Sequence, residues 1–145
     1  MNTNKTNIKP LILVSVSLVL LATLAFATSC NQVSKEAPNL TGTWKSINSD
    51  NPDSWQQAEI TDTTITVYWV SNNGDTKSLY WAGSFIPPKE YCTTYAWDSQ
   101  NDKTSTGKSL LAANGDTKTF IYENNQISYE ATALGVTKTM KLERI

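Results

Sequence analysis

Thr64-Ile65-Thr66-Val67-Tyr68-Trp69-Val70-Ser71 places Ile65, Val67 and Trp69 on one face of an extended chain, the period-two pattern of a half-buried strand. Asn73-Gly74 follows at once. That dipeptide marks a tight hairpin turn, whose two central residues both need positive φ. Beyond it, Ser78 to Phe85 sets Leu79, Trp81, Gly83 and Phe85 on one face and Ser78, Tyr80, Ala82 and Ser84 on the other. A strand, a two-residue turn and a second strand define an antiparallel hairpin. The pattern continues outward. Tyr91 to Trp97 aligns Tyr91, Thr93, Tyr95 and Trp97; Ile127 to Ala133 aligns Ile127, Tyr129, Ala131 and Ala133; the last segment aligns Val136, Met140, Leu142 and Arg144. Pro87-Pro88 ends one run, because proline cannot sit inside a central strand. Asn114-Gly115 reads as a second hairpin turn, and Asn124-Asn125 and Leu134-Gly135 as two more reversals.

The candidate strands are about 40–46, 55–61, 64–71, 76–86, 90–98, 109–113, 117–123, 126–133 and 136–144. A closed all-antiparallel barrel needs an even number. Segment 109–113 (Ser-Leu-Leu-Ala-Ala) is short and poor in β-branched residues, so it is the one to drop. The expectation is an all-β, up-and-down meander of about eight strands over residues 40–145, closing into a small barrel that removes its own edges; a β-sandwich is the alternative. Alternate loops of a meander share one end. Loops 47–54 and 99–108 read as the two longest and belong to the end opposite residue 40, which is where a binding site is expected. The sequence Asn73-Gly74-Asp75-Thr76-Lys77 returns as Asn114-Gly115-Asp116-Thr117-Lys118, with a weaker echo at Gly135-Val136-Thr137-Lys138. Irregular spacing argues against a true repeat. Reused turn chemistry, with each lysine on the solvent face, is the simpler reading.

The chain ends carry a resemblance. The first strand reads Leu40-Thr41-Gly42-Thr43-Trp44 and the last ends Leu142-Glu143-Arg144. This resembles lipocalins and related calycin barrels, which carry Gly-x-Trp on the first strand and a basic residue near the end of the last. The resemblance implies a lipocalin-like barrel in which Gly42, Trp44 and Arg144 close one end, the guanidinium lying across the indole. The chain has no equivalent of the Thr-Asp-Tyr motif that lipocalins carry in their middle.

The first thirty residues follow a different logic. Met1 to Pro10 carries only Lys5 and Lys9, Leu11 to Ala27 is free of charge, and Ala27-Thr28-Ser29-Cys30 follows. A cationic start, an apolar stretch and small residues are the layout of a secretory signal. Cys30 after small residues resembles the lipobox of bacterial lipoproteins. That resemblance implies a signal peptide helix in residues 1–29, cleavage before Cys30, acylation of Cys30 (palmitate among the chains) and a flexible tether over 30–39. It places a domain of 40–145 on the extracytoplasmic side of a cell membrane. A plain secretory signal or an uncleaved anchor is the alternative, and a Cys30–Cys92 disulfide would then compete. With Cys30 acylated, Cys92 reads as a small buried hydrophobe.

Composition excludes several activities. The 145 residues hold 12 Lys+Arg against 13 Asp+Glu and no histidine. A net charge of −1 supplies no basic field for nucleic acid. Cleavage would remove two lysines and no acid, leaving −3. Without histidine, Ser-His-Asp, Cys-His and HExxH chemistries are all missing. Thr104-Ser105-Thr106-Gly107-Lys108-Ser109 has the end of a phosphate loop, but Asp102 stands where its first glycine belongs. Asp50, Asp53, Asp98 and Asp102 lack the ordered spacing of a calcium loop. No catalytic residue, metal or cofactor is therefore expected.

Aromatic residues remain. Five Trp and six Tyr either fill a small core or line a pocket for an apolar ligand; an eight-stranded barrel has room for one small molecule. Trp69, Trp81, Trp97 and Tyr95 are the candidate ligand-binding residues, with Tyr68 and Tyr80 as a contact patch on the opposite face. The expected function is a membrane-anchored, non-enzymatic binding protein for a small apolar ligand or an envelope protein. An inhibitor or exclusion protein acting through its loops on an extracellular hydrolase or phage component is one rival, and a structural envelope protein another.

Overall fold

The computed structural model describes residues 36–145; the apolar run, Cys30 and the tether up to residue 35 lie outside the described residues. Eight strands follow one another: β1 (Gly42–Ser46), β2 (Trp55–Ile60), β3 (Thr64–Ser71), β4 (Thr76–Ser84), β5 (Thr94–Gln100), β6 (Thr117–Glu123), β7 (Gln126–Ala133) and β8 (Val136–Arg144). Two helical turns interrupt them: a 3-10 turn over Asn72–Gly74, which makes the β3–β4 connection four residues long rather than the expected two, and α1 (Lys103–Thr106). The strands form a single antiparallel sheet in the order β4-β3-β2-β1-β8-β7-β6-β5. The first and last strands therefore pair centrally, Trp44 opposite Arg144. The fold is an up-and-down meander rolled into a nearly closed barrel, not a sandwich. Residues 109–113 form no strand.

Closure falls to the two edge strands. β4 and β5 meet in one bridge, Gly83 to Asn101. A Cβ on Gly83 would stand 2.3 Å from the Gln100 carbonyl oxygen and 2.4 Å from Ser99 Oγ, so only glycine lets the edges approach. Beyond this bridge the strands diverge, and segment 101–116 straps the exposed edge of β4. The Asp102 N–H donates to the Ala82 carbonyl at 2.8 Å, the Ala113 N–H to the Tyr80 carbonyl at 2.8 Å, and Ser109 Oγ to the Leu79 carbonyl at 2.7 Å. These single bonds, not a ladder, are why 109–113 is irregular. They also leave Asn114-Gly115 without a hairpin to turn. Asp102 caps α1, accepting from Thr104 N at 3.0 Å and Ser105 Oγ at 2.6 Å. The hydrogen bonds from Ser105 and Thr104 lower its carboxyl to a pKa of about 2. The residue read as a failed phosphate-loop position is thus a helix cap.

Aromatic rings fill the interior. Trp44, Tyr80, Trp81, Phe120 and Tyr129 are all buried. Trp97 stacks on Phe120 at 5.3 Å and meets Phe85 edge-on at 5.1 Å, arrangements worth about 0.5–1.5 kcal/mol each beyond area burial. The pairing of β3 with β4 slips between Val67 opposite Trp81 and Tyr68 opposite Leu79. Tyr80 is the extra residue of this bulge. Consecutive Tyr80 and Trp81 are therefore both buried, at 1% and 0% exposure. This corrects the expectation that Tyr80 faces outward beside Tyr68. Lys118 departs from its expected solvent face in the same way. It is two residues from buried Phe120, and its Nζ lies 5.1 Å from the Tyr80 ring and donates to the Glu130 carbonyl. Cys92 is half-buried, not enclosed, because β5 begins only at Thr94.

Loop lengths also differ. The connections 101–116 and 85–93 are the longest, and 47–54 is shorter than either. Both 47–54 and 101–116 leave strands at the end away from residue 40, since β1 and β5 run towards that end; 85–93, with Pro87-Pro88, lies at the other.

Gly83→Ala is expected to cost about 1–3 kcal/mol in urea denaturation and to speed hydrogen exchange at the Asp102 and Ala113 amides. Unchanged stability would contradict the seam described.

Candidate functional site

At the end away from residue 40, the barrel holds a cavity of about 320 Å³. Its wall comes from the ends of β2 and β3 (Trp55, Gln56, Trp69, Val70), the end of β7 and start of β8 (Ala131, Ala133, Val136, Met140, Lys138) and loop 47–54. The sequence folds this way because β2 and β3 pair Gln56 opposite Trp69, on the inward face shared with Ala58 and Val67. Apolar side chains make most of the wall.

Loop 47–54 is held down against β8. Asn48 imitates a strand residue: its Nδ2 donates to the Thr139 carbonyl at 2.8 Å and its Oδ1 accepts from Lys141 N at 3.0 Å. Lys138 Nζ reaches both Asp50 oxygens at 2.8 Å. Ser46 Oγ, itself buried, touches Ser49 Oγ at 2.9 Å and accepts from Gln56 N at 3.0 Å. The Asp50 pair is exposed, so it contributes little to stability; it fixes where the loop lies.

Gln56 is the unusual residue. It is 0% exposed, a carboxamide among apolar neighbours. Tyr129 donates its hydroxyl to Gln56 Oε1. Burial, and secondarily Tyr80, push the Tyr129 phenol well above its ordinary pKa, so it stays a donor. Gln56 Nε2 and Trp55 Nε1 are buried and have no hydrogen-bond partner among the described residues. Buried donors normally have one. Trp69 packs edge-on to Tyr80 at 5.3 Å, which sets its ring at the cavity.

Of the sequence-stated ligand residues, only Trp69 lines this cavity. Trp81 is core, donating to Ser99 Oγ at 3.0 Å. Trp97 and Tyr95 stack on each other at 5.8 Å, and Tyr95 donates to the Ile86 carbonyl at 2.7 Å, away from the cavity. Trp55 and Gln56 were missed. The signal was there: Gln56 alternates with Ala58 and Ile60, a polar residue at an inward position.

The residues singled out at the chain ends meet at the opposite end. Arg144 Cζ lies 4.6 Å from the Trp44 ring, a contact worth about 0.5–2 kcal/mol. Its guanidinium donates to the Asn39 and Thr41 carbonyls, and Trp44 Nε1 donates to the Leu40 carbonyl at 2.9 Å. Gly42 has φ +132°, and a Cβ there would stand 2.7 Å from Arg144 Nη1. Among the described residues, no group of three or more His, Cys, Asp or Glu side chains could hold a metal, and no helix is long and apolar enough to cross a membrane.

No family model, curated protein or solved structure matches this chain.

Tyr129→Phe is expected to lose roughly 1–3 kcal/mol, since it strands Gln56 Oε1. The folded-state pKa of Tyr129 is raised, so its contribution is complete below the unfolded tyrosine value of about 10 and is lost as pH rises above it. Denaturation from pH 8 to 11.5 should show that alkaline loss in the wild type and a smaller one in the variant.

Proposed function

We propose that this chain is an exported lipoprotein, anchored by acylated Cys30 to the extracytoplasmic side of a cell membrane, whose barrel binds a small apolar ligand in its end cavity. The single observation behind the binding role is the cavity of about 320 Å³ with Trp69 and Met140 in its wall. The layout of residues 1–30 supports the anchor. With the tether joining the barrel at residue 40, the cavity opens at the far end, away from the attachment. We read the protein as non-catalytic, for want of a nucleophile–base pair.

A specific observation favours a second reading, the docking of a partner protein. Leu110, Leu111, Leu134 and Val136 are exposed at the cavity end of the barrel. Leu134 also has φ +51°, a conformation for which the other turns use asparagine or glycine. An exposed leucine there gains the folded monomer nothing.

Native mass spectrometry of the protein purified from its own envelope separates these readings. The expected species is chain 30–145 bearing acyl groups and a retained small molecule; Trp69→Ala loses that molecule, and Leu110→Ser/Leu111→Ser keeps it. An intact residue 1–29 segment would contradict the anchor. A partner protein retained by the wild type and lost with the double serine variant would favour the second reading.

A further inference from the structure

Resting on the ligand-binding reading, we infer that the cavity selects uncharged molecules carrying a carbonyl-type oxygen on an apolar body, a ketone, ester, lactone or amide, and that the Gln56 carboxamide reads that oxygen. Gln56 is entirely buried and held at two points, one on its backbone and one on its side chain. Its backbone N–H is on Ser46 Oγ, and its Oε1 takes the Tyr129 hydroxyl. What remains is the Nε2 amide group, without a partner among the described residues and belonging to a residue of the cavity wall. It is a donor, and an unmade buried donor is costly, so the matching ligand offers an acceptor.

Charge completes the selection. Lys138 is the cation of the wall, and Asp50 binds it through both oxygens. An anionic ligand would have to displace that carboxylate, and a cationic one would find no free acid facing it from the wall, since Asp50 is its one acidic residue. Ser49, Asn51 and Ser54 add neutral polar groups on the loop side, and the apolar part of the wall, Trp69, Val70, Ala131 and Met140, suits an apolar body. A binding site with this few polar groups uses them to fix orientation.

The test compares 1-indanone with indane, which share a ring skeleton and differ by the ketone oxygen. The full chain is titrated with each, following the Gln56 side-chain NH₂ signals and the methyl of Met140 by NMR. The expected result is that indanone binds roughly tenfold more tightly and shifts the Gln56 signals, while indane moves Met140 alone; in Gln56→Met the two affinities converge. Equal affinities with unmoved Gln56 signals would overturn this inference and leave the ligand-binding reading standing, because Met140 still responds. No response of Met140 to either probe would overturn both. The wild-type spectra decide the matter even if the variant does not fold.

Discussion

An eight-stranded meander leaves two unpaired backbone edges, and everything else in this barrel depends on how β4 and β5 are brought together. Glycine at position 83 allows the one direct bridge. Where the strands part, the carbonyls of Leu79, Tyr80 and Ala82 are taken by the strap 101–116. Unpaired edges invite aggregation, and buried backbone acceptors need partners. The strap answers both, with a capped helical turn in place of a ninth strand. The bulge at Tyr80 belongs to the same solution. It tightens the local twist and sends two adjacent aromatic rings into the interior, where they help to fill the middle of the barrel.

That filling decides where a ligand can sit. Rings from β4, β5, β6 and β7 occupy the middle, and the Arg144–Trp44 contact lies at the end where residue 40 enters. A space of about 340 Å³ stays open beside that contact, and the cavity of about 320 Å³ lies at the other end, where Ala131 and Ala133 are small and loop 47–54 is pinned to β8 by Asn48 and Asp50. The cavity therefore follows from side-chain volume and loop anchoring; its polar groups are Gln56, tied to Tyr129, with Lys138 and the residues of loop 47–54.

The meander was legible because alternation and turn chemistry are local properties. Thr64 to Ser71 reads correctly as a strand, as do 117–123, 126–133 and 136–144, and the composition of 109–113 speaks against the strand that the structure also lacks. What alternation could not show was any step that breaks it. The Tyr80 bulge is invisible in sequence, so Tyr80 was placed on the wrong face. Lys118 looked like a solvent lysine because residue type outweighed its phase with Phe120. Asn114-Gly115 has hairpin chemistry, but a turn needs strands on both sides, and the strap supplies none. The cavity was harder still. Aromatic residues were counted as candidates wherever they fell, while packing gave most of them to the core. Gln56, a buried amide in register with Trp69, carries neither an aromatic ring nor a charge, so residue type alone does not mark it.

The most direct measurement is a crystal structure of the protein purified from the cells that produce it, with its natural contents retained. The account predicts non-protein density between Trp69 and Met140, with an oxygen within hydrogen-bond distance of Gln56 Nε2. A cavity closed by side chains, or holding only ordered water, would contradict it.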